Sequence, residues 1–199
     1  MKIISISGLD GSGKSTQIEM LKTYLESQGK KVFYFHAVQF SIANKHRSSV
    51  ISHQSSATKS VTKAGWLKIQ LRKVALFVDL LRFKKLVAKL EKEGFDYILS
   101  DRYFYDNLIN IAYLEAKSCK PKVASSIPRP DFAFYLNTDP TNIMSRDRVP
   151  DQGLEYLNKK KELLEEFSKK ENLIAIDGNR GKEEIFNAIK SQIQMTNVK

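Results

Sequence analysis

The sequence predicts a three-layer α/β fold, in which about five parallel strands form one sheet with helices on both faces. Short apolar segments alternate along the whole chain with longer segments whose apolar residues recur at helical spacing. The connections between successive strands contain helices, as crossovers between parallel strands require. No repeat or linker-like tract interrupts the alternation, so we expect a single domain over residues 1–199.

The predicted strands are short and apolar. The first is rich in isoleucine, and the third has the continuous apolar pattern of a buried strand. Ligands of parallel sheets bind at the carboxyl ends of the strands, so we expect functional residues directly after them. In chain order the predicted strands are residues 2–7, 32–35, 95–100, 132–137 and 173–176.

The predicted helices follow from periodicity and from stop signals. In the first, Ile18, Leu21 and Leu25 recur at helical spacing, and Gly29 ends the pattern. The longest is residues 62–92, which Gly94 ends. The polar, serine-rich residues 41–60 are expected to be loop with some helix. The predicted helices are residues 14–28, 62–92, 103–117, a helix starting at 139–140, 153–170 and 182–194.

Composition limits the class of protein. The chain is 42% apolar and 28% charged, as soluble globular proteins are, and its apolar runs are too short to cross a membrane. The N-terminus does not resemble a secretory signal. A lone Cys119 excludes a disulfide within the chain, and we expect a cytoplasmic location. The three histidines show no metal-ligand spacing.

The net charge of +11 indicates nucleic acid, a phosphate-rich small ligand or a solvated lysine surface. The excess is spread along residues 59–92 and 159–170 and forms no dense basic tail. Nucleic acid is therefore the less favoured partner, and a phosphate-rich small ligand and a solvated lysine surface both stay open.

Residues 8–15 read GLDGSGKS and match the template G-x-x-x-x-G-K-[ST]; we call them the phosphate loop. Its glycines let backbone N–H groups point at phosphate oxygens, which the following helix N-terminus also favours. The pattern predicts that Lys14 neutralises the β- and γ-phosphates of ATP and that Ser15 binds Mg²⁺. The predicted ATP-binding residues are Gly8, Leu9, Asp10, Gly11, Ser12, Gly13, Lys14, Ser15 and Thr16.

Two carboxylates near this loop need partners. Asp10 is electrostatically costly beside a triphosphate unless it faces a sugar hydroxyl, a metal-bound water or solvent.

Asp101, Arg102 and Tyr103 follow the third predicted strand. Asp101 could orient Mg²⁺ through water, and Arg102 could grip a phosphate through two parallel hydrogen bonds, or the two could form a plain surface pair. Tyr103 could stack on a base or pack in the core.

The chain resembles the thymidylate kinase family of nucleoside monophosphate kinases. The motifs that carry the resemblance occur in order over most of the length: GLDGSGKSTQ, SDRY, PDFAFYLNTDP at residues 130–140, the arginines of residues 146–148, and NLIAIDG at residues 172–178. The resemblance implies transfer of the γ-phosphate of ATP to a deoxynucleoside monophosphate, with dTMP the leading acceptor. It also implies a homodimer packed through long helices, for which residues 62–92 are the natural candidate.

Site roles carry over from the family by position. Asp10 is similar to the loop carboxylate that meets the acceptor sugar, and Arg102 to the clamp on the acceptor phosphate. Arg82 is similar to the arginine that approaches the acceptor base. Arg146 and Arg148 resemble arginines of a lid, here approximately residues 145–153. Some relatives carry a catalytic arginine in the phosphate loop; this loop has none, so the resemblance assigns that role to the lid.

The acceptor side departs from the family pattern in two places. The arginine-bearing element expected after the second strand is replaced by residues 35–40, FHAVQF, and the next arginine is Arg47. Asp106 stands where the family has a small hydroxyl residue. A carboxylate there would repel a phosphate but suit a hydroxyl or an amine, or it could face solvent or pair with Arg102.

Three functions therefore stay open from the sequence. The first is a nucleoside monophosphate kinase acting on dTMP. The second is a kinase on the same scaffold with another acceptor, such as a deoxynucleoside or another phosphorylated metabolite. The third is a nucleotide-binding ATPase that transfers nothing.

Overall fold

The computed structural model describes residues 1–42, 66–115, 127–146, 150–151 and 153–196. Five strands form one sheet in the order β2-β3-β1-β4-β5, and every neighbouring pair is parallel. This confirms the predicted fold class. The strands are β1 (Lys2–Gly8), β2 (Val32–His36), β3 (Tyr97–Asp101), β4 (Phe132–Asn137) and β5 (Ile174–Asp177).

Helices connect the strands and cover the sheet. Their bounds agree with the periodicity of the sequence to within a few residues wherever the structure describes them. Within the described residues, the helices are α1 (Lys14–Ser27), α2 (Ala37–Phe40), α3 (Trp66–Lys92), α4 (Phe104–Glu115), α5 (Pro140–Met144), α6 (Gly153–Lys170) and α7 (Lys182–Thr196).

Each face of the sheet carries its own apolar core, because successive side chains of a strand point to opposite faces. Ile4 and Ile6 of β1 belong to the core that contains residues of α1 and α7. Ile3 belongs to the other core, with residues of α3, α4 and α6. The three-layer arrangement follows from this alternation.

The strand register aligns the carboxyl ends of the central strands at one edge. In that register Ile6 lies opposite Asp101, His36 lies opposite Asp101, and Gly8 lies opposite Leu136. The segments after β1, β2, β3 and β4 therefore meet at this edge, where the sequence predicted the functional residues.

Four apolar side chains of α3 face solvent in this single chain, and we call them the α3 stripe. Leu71, Val74 and Phe77 are each about 60% exposed, and Leu81 is 47% exposed. Their spacing places them along one side of the helix, opposite the buried Leu76, Leu80 and Phe83 side.

The structure also corrects several element boundaries. Strand β3 begins at Tyr97 rather than at residue 95, and β5 is one residue later than predicted. Helix α2 was not predicted, because four residues are too short for a periodic pattern. His36 Nδ1 caps it by accepting from Gln39 N at 3.3 Å.

Predictions for residues 43–65, 116–126, 147–149 and 152 lie outside the described residues. Among the helices that are described, none is both long and apolar enough to span a membrane.

Candidate active site

The phosphate loop leaves β1 and leads into α1, as its sequence predicts. Gly11 has a φ of 81°, which favours glycine, and a Cβ there would lie 2.8 Å from Ile143 Cγ2. At Gly8 a Cβ would lie 2.9 Å from Ser12 Oγ and 3.0 Å from Leu136 O. No side chain in the described part of the chain caps the first turn of α1. A tightly held loop and a helix N-terminus suit an anionic ligand.

Lys14 is buried and turns its ammonium back onto the loop. Its Nζ donates to Leu9 O at 2.6 Å, to Gly8 O at 3.1 Å and to Ser12 Oγ at 3.5 Å. Burial, and then the nearby Arg102 cation, lower the pKa of Lys14 to about 8, against the attraction of neighbouring carboxylates. The ammonium is thus held at the loop, where it would meet the phosphates of a nucleotide.

Ser15 and Asp101 come together from α1 and from the end of β3. Ser15 Oγ donates to Asp101 Oδ2. Asp101 Oδ1 is buried and has no hydrogen-bond partner among the described residues. A hydroxyl beside an under-satisfied carboxylate fits Mg²⁺, which binds through few protein oxygens together with phosphates and water.

Asp10 is the centre of an ion-pair cluster in the phosphate loop. Its Oδ1 lies 2.5 Å from Arg102 Nη2, and its Oδ2 lies 3.4 Å from Lys160 Nζ. Burial alone would raise the pKa of Asp10, but Lys160, Arg102 and Lys14 together lower it to about 2. Asp10 therefore stays ionised and ties the loop to β3 and to α6.

Lys160 belongs to α6 and is only 2% exposed. Its ammonium lies 5.5 Å from the centre of the Tyr156 ring. Burial tends to lower the pKa of Lys160, but Asp10, Tyr156 and Asp106 reverse this and raise it. The side chain is thus a buried cation, which proteins accommodate only when it is paired.

Asp106, in the first turn of α4, is also buried. Its Oδ2 accepts from Ser7 Oγ at 2.8 Å. Burial raises the pKa of Asp106, although Lys14, Lys160 and Arg102 act in the opposite direction. Of the uses considered for Asp106 from the sequence, exposure to solvent is wrong, because only 2% of the residue is accessible.

The backbone of Arg102 is in an unusual conformation. Its φ of 60° lies in the left-handed region, which side chains with a Cβ seldom adopt. Its carbonyl accepts from Ala37 N at 3.0 Å, which ties the start of α2 to the end of β3. Such strained residues cluster at functional sites.

Arg146 reaches the phosphate loop from the segment after α5. Its Nη1 donates to Gly11 O at 2.5 Å. The predicted lid arginine therefore contacts the phosphate loop. Arg148, the second predicted lid arginine, is outside the described residues.

Arg82 of α3 lies beside the segment that follows β2. It donates to Asp79 Oδ1 at 2.8 Å and to Phe40 O at 2.9 Å, and its guanidinium lies 4.3 Å from the centre of the Phe40 ring. Asp79, which is fully buried, also accepts from Ile42 N at 3.1 Å. Arg82 thus holds in place the segment that replaces the family's arginine-bearing element.

Tyr103 was predicted from the sequence to bind the acceptor or to pack in the core, and the structure puts it in the core. It is fully buried, and its hydroxyl donates to Pro128 O at 2.7 Å. Its ring packs edge-to-face against Phe83, Phe104 and Tyr105 at centroid distances of 5.1–5.7 Å. Burial raises the pKa of its hydroxyl. A side chain enclosed in this way has no face on which a base could stack.

The family model described as thymidylate kinase matches residues 6–189 of this chain. The chain belongs to the thymidylate kinase family. The match includes the phosphate loop, Arg102, Arg146 and Lys160, so the whole ion-pair cluster lies within the family region.

Curated relatives match over almost their full length. A thymidylate kinase of Thermosipho africanus is 29% identical over 206 residues, with 96% of each chain covered. A probable thymidylate kinase of Methanosphaera stadtmanae is 25% identical over 198 residues, again with 96% of each covered. The thymidylate kinase of Francisella tularensis strain SCHU S4 is 23% identical, with 92% of this chain and 91% of the relative covered.

The fold also matches a solved member of the family. The structure of thymidylate kinase from Candida albicans superposes with a TM-score of 0.67, covering 98% of this chain and 92% of that chain. Only 18% of the residues are identical, so this likeness concerns the fold. It is the thymidylate kinase fold that brings the segments after β1, β3 and β4 to one edge.

Sequence reasoning missed Lys160 and the contact between Ser7 and Asp106. Lys160 lies in a run of three lysines, which is typical of a solvated helix face. A signal did exist, because Leu157, Lys160 and Leu164 recur at the spacing of one buried face of α6. Nothing local connects Ser7 with Asp106, which are 99 residues apart.

Proposed function

We propose that the protein is an ATP-dependent thymidylate kinase that transfers the γ-phosphate of ATP to dTMP. The observation that carries the proposal is the placement of Arg102 against Asp10. In a chain of this family, that contact puts a cation suited to an acceptor phosphate beside the loop suited to the donor phosphates.

The donor side of the proposed site fits ATP and Mg²⁺. Lys14 would neutralise donor phosphates, and Ser15 and Asp101 would hold Mg²⁺ directly and through water. When bound, Mg²⁺ neutralises charge on the transferring phosphoryl group. The chain's own contribution is to fix these groups before the nucleotide arrives, since β1, β3 and α1 hold each of them.

The transfer would be an in-line displacement that needs positioned cations more than a base. An ionised acceptor phosphate is already a nucleophile, so no side chain has to remove a proton. Arg102 would grip the acceptor, and the lid arginines Arg146 and Arg148 would stabilise charge on the transferring group. Closure of residues 145–153 over the site would exclude water and so suppress hydrolysis of ATP.

A second candidate is a kinase of the same scaffold with another acceptor. The observation in its favour is Asp106, a buried carboxylate in the first turn of α4 beside Arg102 and Lys14. A carboxylate there disfavours a phosphate and favours a hydroxyl or an amine unless the neighbouring cations neutralise it.

A coupled assay of ADP release over a panel of nucleoside monophosphates and nucleosides separates these candidates. We expect turnover with dTMP to exceed that with every other acceptor. Turnover with a nucleoside but not with dTMP would support the second candidate. Hydrolysis of ATP that no acceptor changes would overturn both. Lys14→Ala should abolish activity with every acceptor, because it removes the donor-side cation.

We also propose that the protein is a homodimer. The α3 stripe is a row of exposed apolar side chains on a long helix, and contiguous exposed apolar surface marks interaction sites. A second copy of α3 is the occupant that the family resemblance implies. We further propose a cytoplasmic location, which suits a chain whose single cysteine can form no disulfide within it. Residues 1–199 would act as one domain.

A further inference from the structure

The geometry points to Lys160 as a positioning residue, which holds the Asp10 carboxylate ionised and in place when Arg102 turns from Asp10 to the acceptor. This inference rests on the proposed function for the role of Arg102. It concerns a side chain that the donor and acceptor roles above do not use.

The first step is that Asp10 has two cationic partners from two different elements. Arg102 lies at Oδ1, 2.5 Å away, and Lys160 lies at Oδ2, 3.4 Å away. Arg102 comes from the end of β3 and is 30% exposed, whereas Lys160 comes from α6 and is 2% exposed. The partly exposed Arg102 can reach an arriving ligand, and the buried Lys160 stays with the loop.

The second step is electrostatic. An acceptor phosphate that engages Arg102 competes with Asp10 for the same guanidinium, because both are anions. Without another cation, Asp10 would then be a largely buried, unpaired charge beside a triphosphate, which is costly. Lys160 removes that cost, since it contacts the other carboxylate oxygen.

The third step explains how α6 tolerates a buried lysine. Aromatic contacts bring α4 and α6 together, with ring centroids 5.0 Å apart for both Tyr105–Phe167 and Tyr113–Tyr156. Helix α4 also carries Asp106, whose charge stabilises the protonated form of Lys160. The other titratable groups that interact with Asp10 or with Lys160 are Lys14 of α1, Arg102 after β3, Asp106 of α4 and Tyr156 of α6.

Asp10 is the direct ion-pair partner of Lys160, and Asp106 adds a second buried carboxylate that favours the protonated lysine. A buried cation introduced without a buried anion, or the reverse, would leave an unpaired charge.

The test compares Lys160→Met, which removes the charge at similar length, with Lys160→Arg and with Lys159→Met. Lys159 is the matched control, because it is 58% exposed and pairs with Glu162 instead. We expect Lys160→Met to lower kcat/KM for the acceptor by on the order of 10- to 100-fold, as misplaced positioning groups do. ATP affinity should stay within about twofold, Lys160→Arg should recover most of the loss, and Lys159→Met should match the parent.

The split between acceptor and ATP distinguishes positioning from a general loss of structure. In Lys160→Met, kcat/KM for the acceptor should fall while ATP affinity stays near that of the parent. A general structural role would lower both together. A loss of ATP affinity as large as the loss for the acceptor would overturn the inference.

A second readout does not need activity. Carboxyl ¹³C titration by NMR should find the Asp10 pKa higher in Lys160→Met than in the parent and unchanged in Lys159→Met.

If the parent phosphorylates no acceptor, the proposed function fails, and this titration still decides whether Lys160 holds Asp10. If Lys160→Met does not fold, the charge-balanced pair Lys160→Met with Asp106→Asn replaces it, compared with Asp106→Asn alone. The inference is refuted if Asp10 has the same pKa in Lys160→Met as in the parent. It is likewise refuted if Asp10 has the same pKa in the double variant as in Asp106→Asn.

Discussion

Arg102 Nη2 lies 2.5 Å from Asp10 Oδ1, and this contact joins the end of β3 to the phosphate loop after β1. Its two residues come from opposite sides of the proposed transfer, one from the acceptor side and one from the donor side. Because Lys160 also contacts Asp10, the loop keeps a cationic partner when Arg102 is removed. Loss of the ion pair between Arg102 and Asp10 should therefore leave the ATP-binding side of the site in place.

Arg102→Ala should impair the acceptor and spare ATP. We expect kcat/KM for dTMP to fall by about 10²-fold, as when one preorganised charge contact is lost. ATP affinity, measured by calorimetry, should remain near that of the parent. Arg129→Ala is the control, because Arg129 is exposed and pairs with Glu171. Loss of ATP binding in Arg102→Ala would place the arginine on the donor side instead.

Asp10→Asn should change how stability depends on acidity. The native pKa of Asp10 is about 2, below its ordinary 3.8. A carboxyl with a lowered native pKa stabilises the fold above its unfolded pKa, and this contribution is lost as the pH falls from about 4 towards 2. Urea unfolding over that range should show the parent losing up to about 2 kcal/mol more than Asp10→Asn. Parallel curves for the two proteins would contradict the ion-pair cluster.

Asp101→Asn should weaken the response to Mg²⁺. The substitution keeps an oxygen beside Ser15 but removes the negative charge. The Mg²⁺ concentration for half-maximal activity should rise by about 10-fold or more, as expected when a group supporting a metal site is altered. Glu26→Gln serves as the control, because Glu26 is exposed and pairs with Lys22 on the surface of α1. An unchanged Mg²⁺ requirement would exclude Asp101 from the metal site.

Arg146→Ala and Arg148→Ala together identify the cation that acts in the transfer. Arg146 contacts the carbonyl of Gly11, so its loss should lower kcat by about 10²-fold with little change in the acceptor KM. Single-turnover kinetics on both variants would measure the chemical step itself. If kcat falls further in Arg148→Ala than in Arg146→Ala, Arg148 is the arginine that stabilises the transferring group. If kcat falls only slightly in both variants, neither lid arginine has this role.

Phe77→Asp should convert the proposed homodimer to a monomer. Phe77 is 61% exposed in the middle of the α3 stripe, and a charge buried against a second copy would be unpaired. Sedimentation velocity over a concentration series would report the change. Met195→Asp is the matched control, since Met195 is a more exposed apolar residue outside the stripe. A parent protein that sediments as a monomer would rule out the dimer.

The fold could be predicted from the sequence to within a few residues because its determinants are local. Apolar runs mark the strands, and periodicity and glycine stops mark the helices. The phosphate loop is equally local, since spacing within eight residues defines it. The short α2 could not be predicted, because it depends on one cap from His36 and on the Ala37–Arg102 contact.

The acceptor side could be predicted only in part, because tertiary packing decides it. Which of three consecutive lysines is buried depends on how α6 packs against α4, and only Lys160 is. Tyr103 directly follows Asp101 and Arg102, yet its side chain lies in the core, where its ring packs against Phe83 of α3. Contacts between distant segments, such as Ser7 with Asp106, leave no local pattern.

The central place of β1 in the sheet has a consequence for synthesis on the ribosome. Lys2 pairs with Tyr97 of β3, and Ile4 pairs with Phe132 of β4. At about 5–20 residues per second, the first strand waits on the order of ten seconds before both neighbours exist. Both edges of this isoleucine-rich strand are unpaired until residues 97–101 are made, and one edge stays unpaired until residues 132–137 follow. Strand β1 is therefore made early and paired late, which leaves an open edge that could pair with another chain in the meantime.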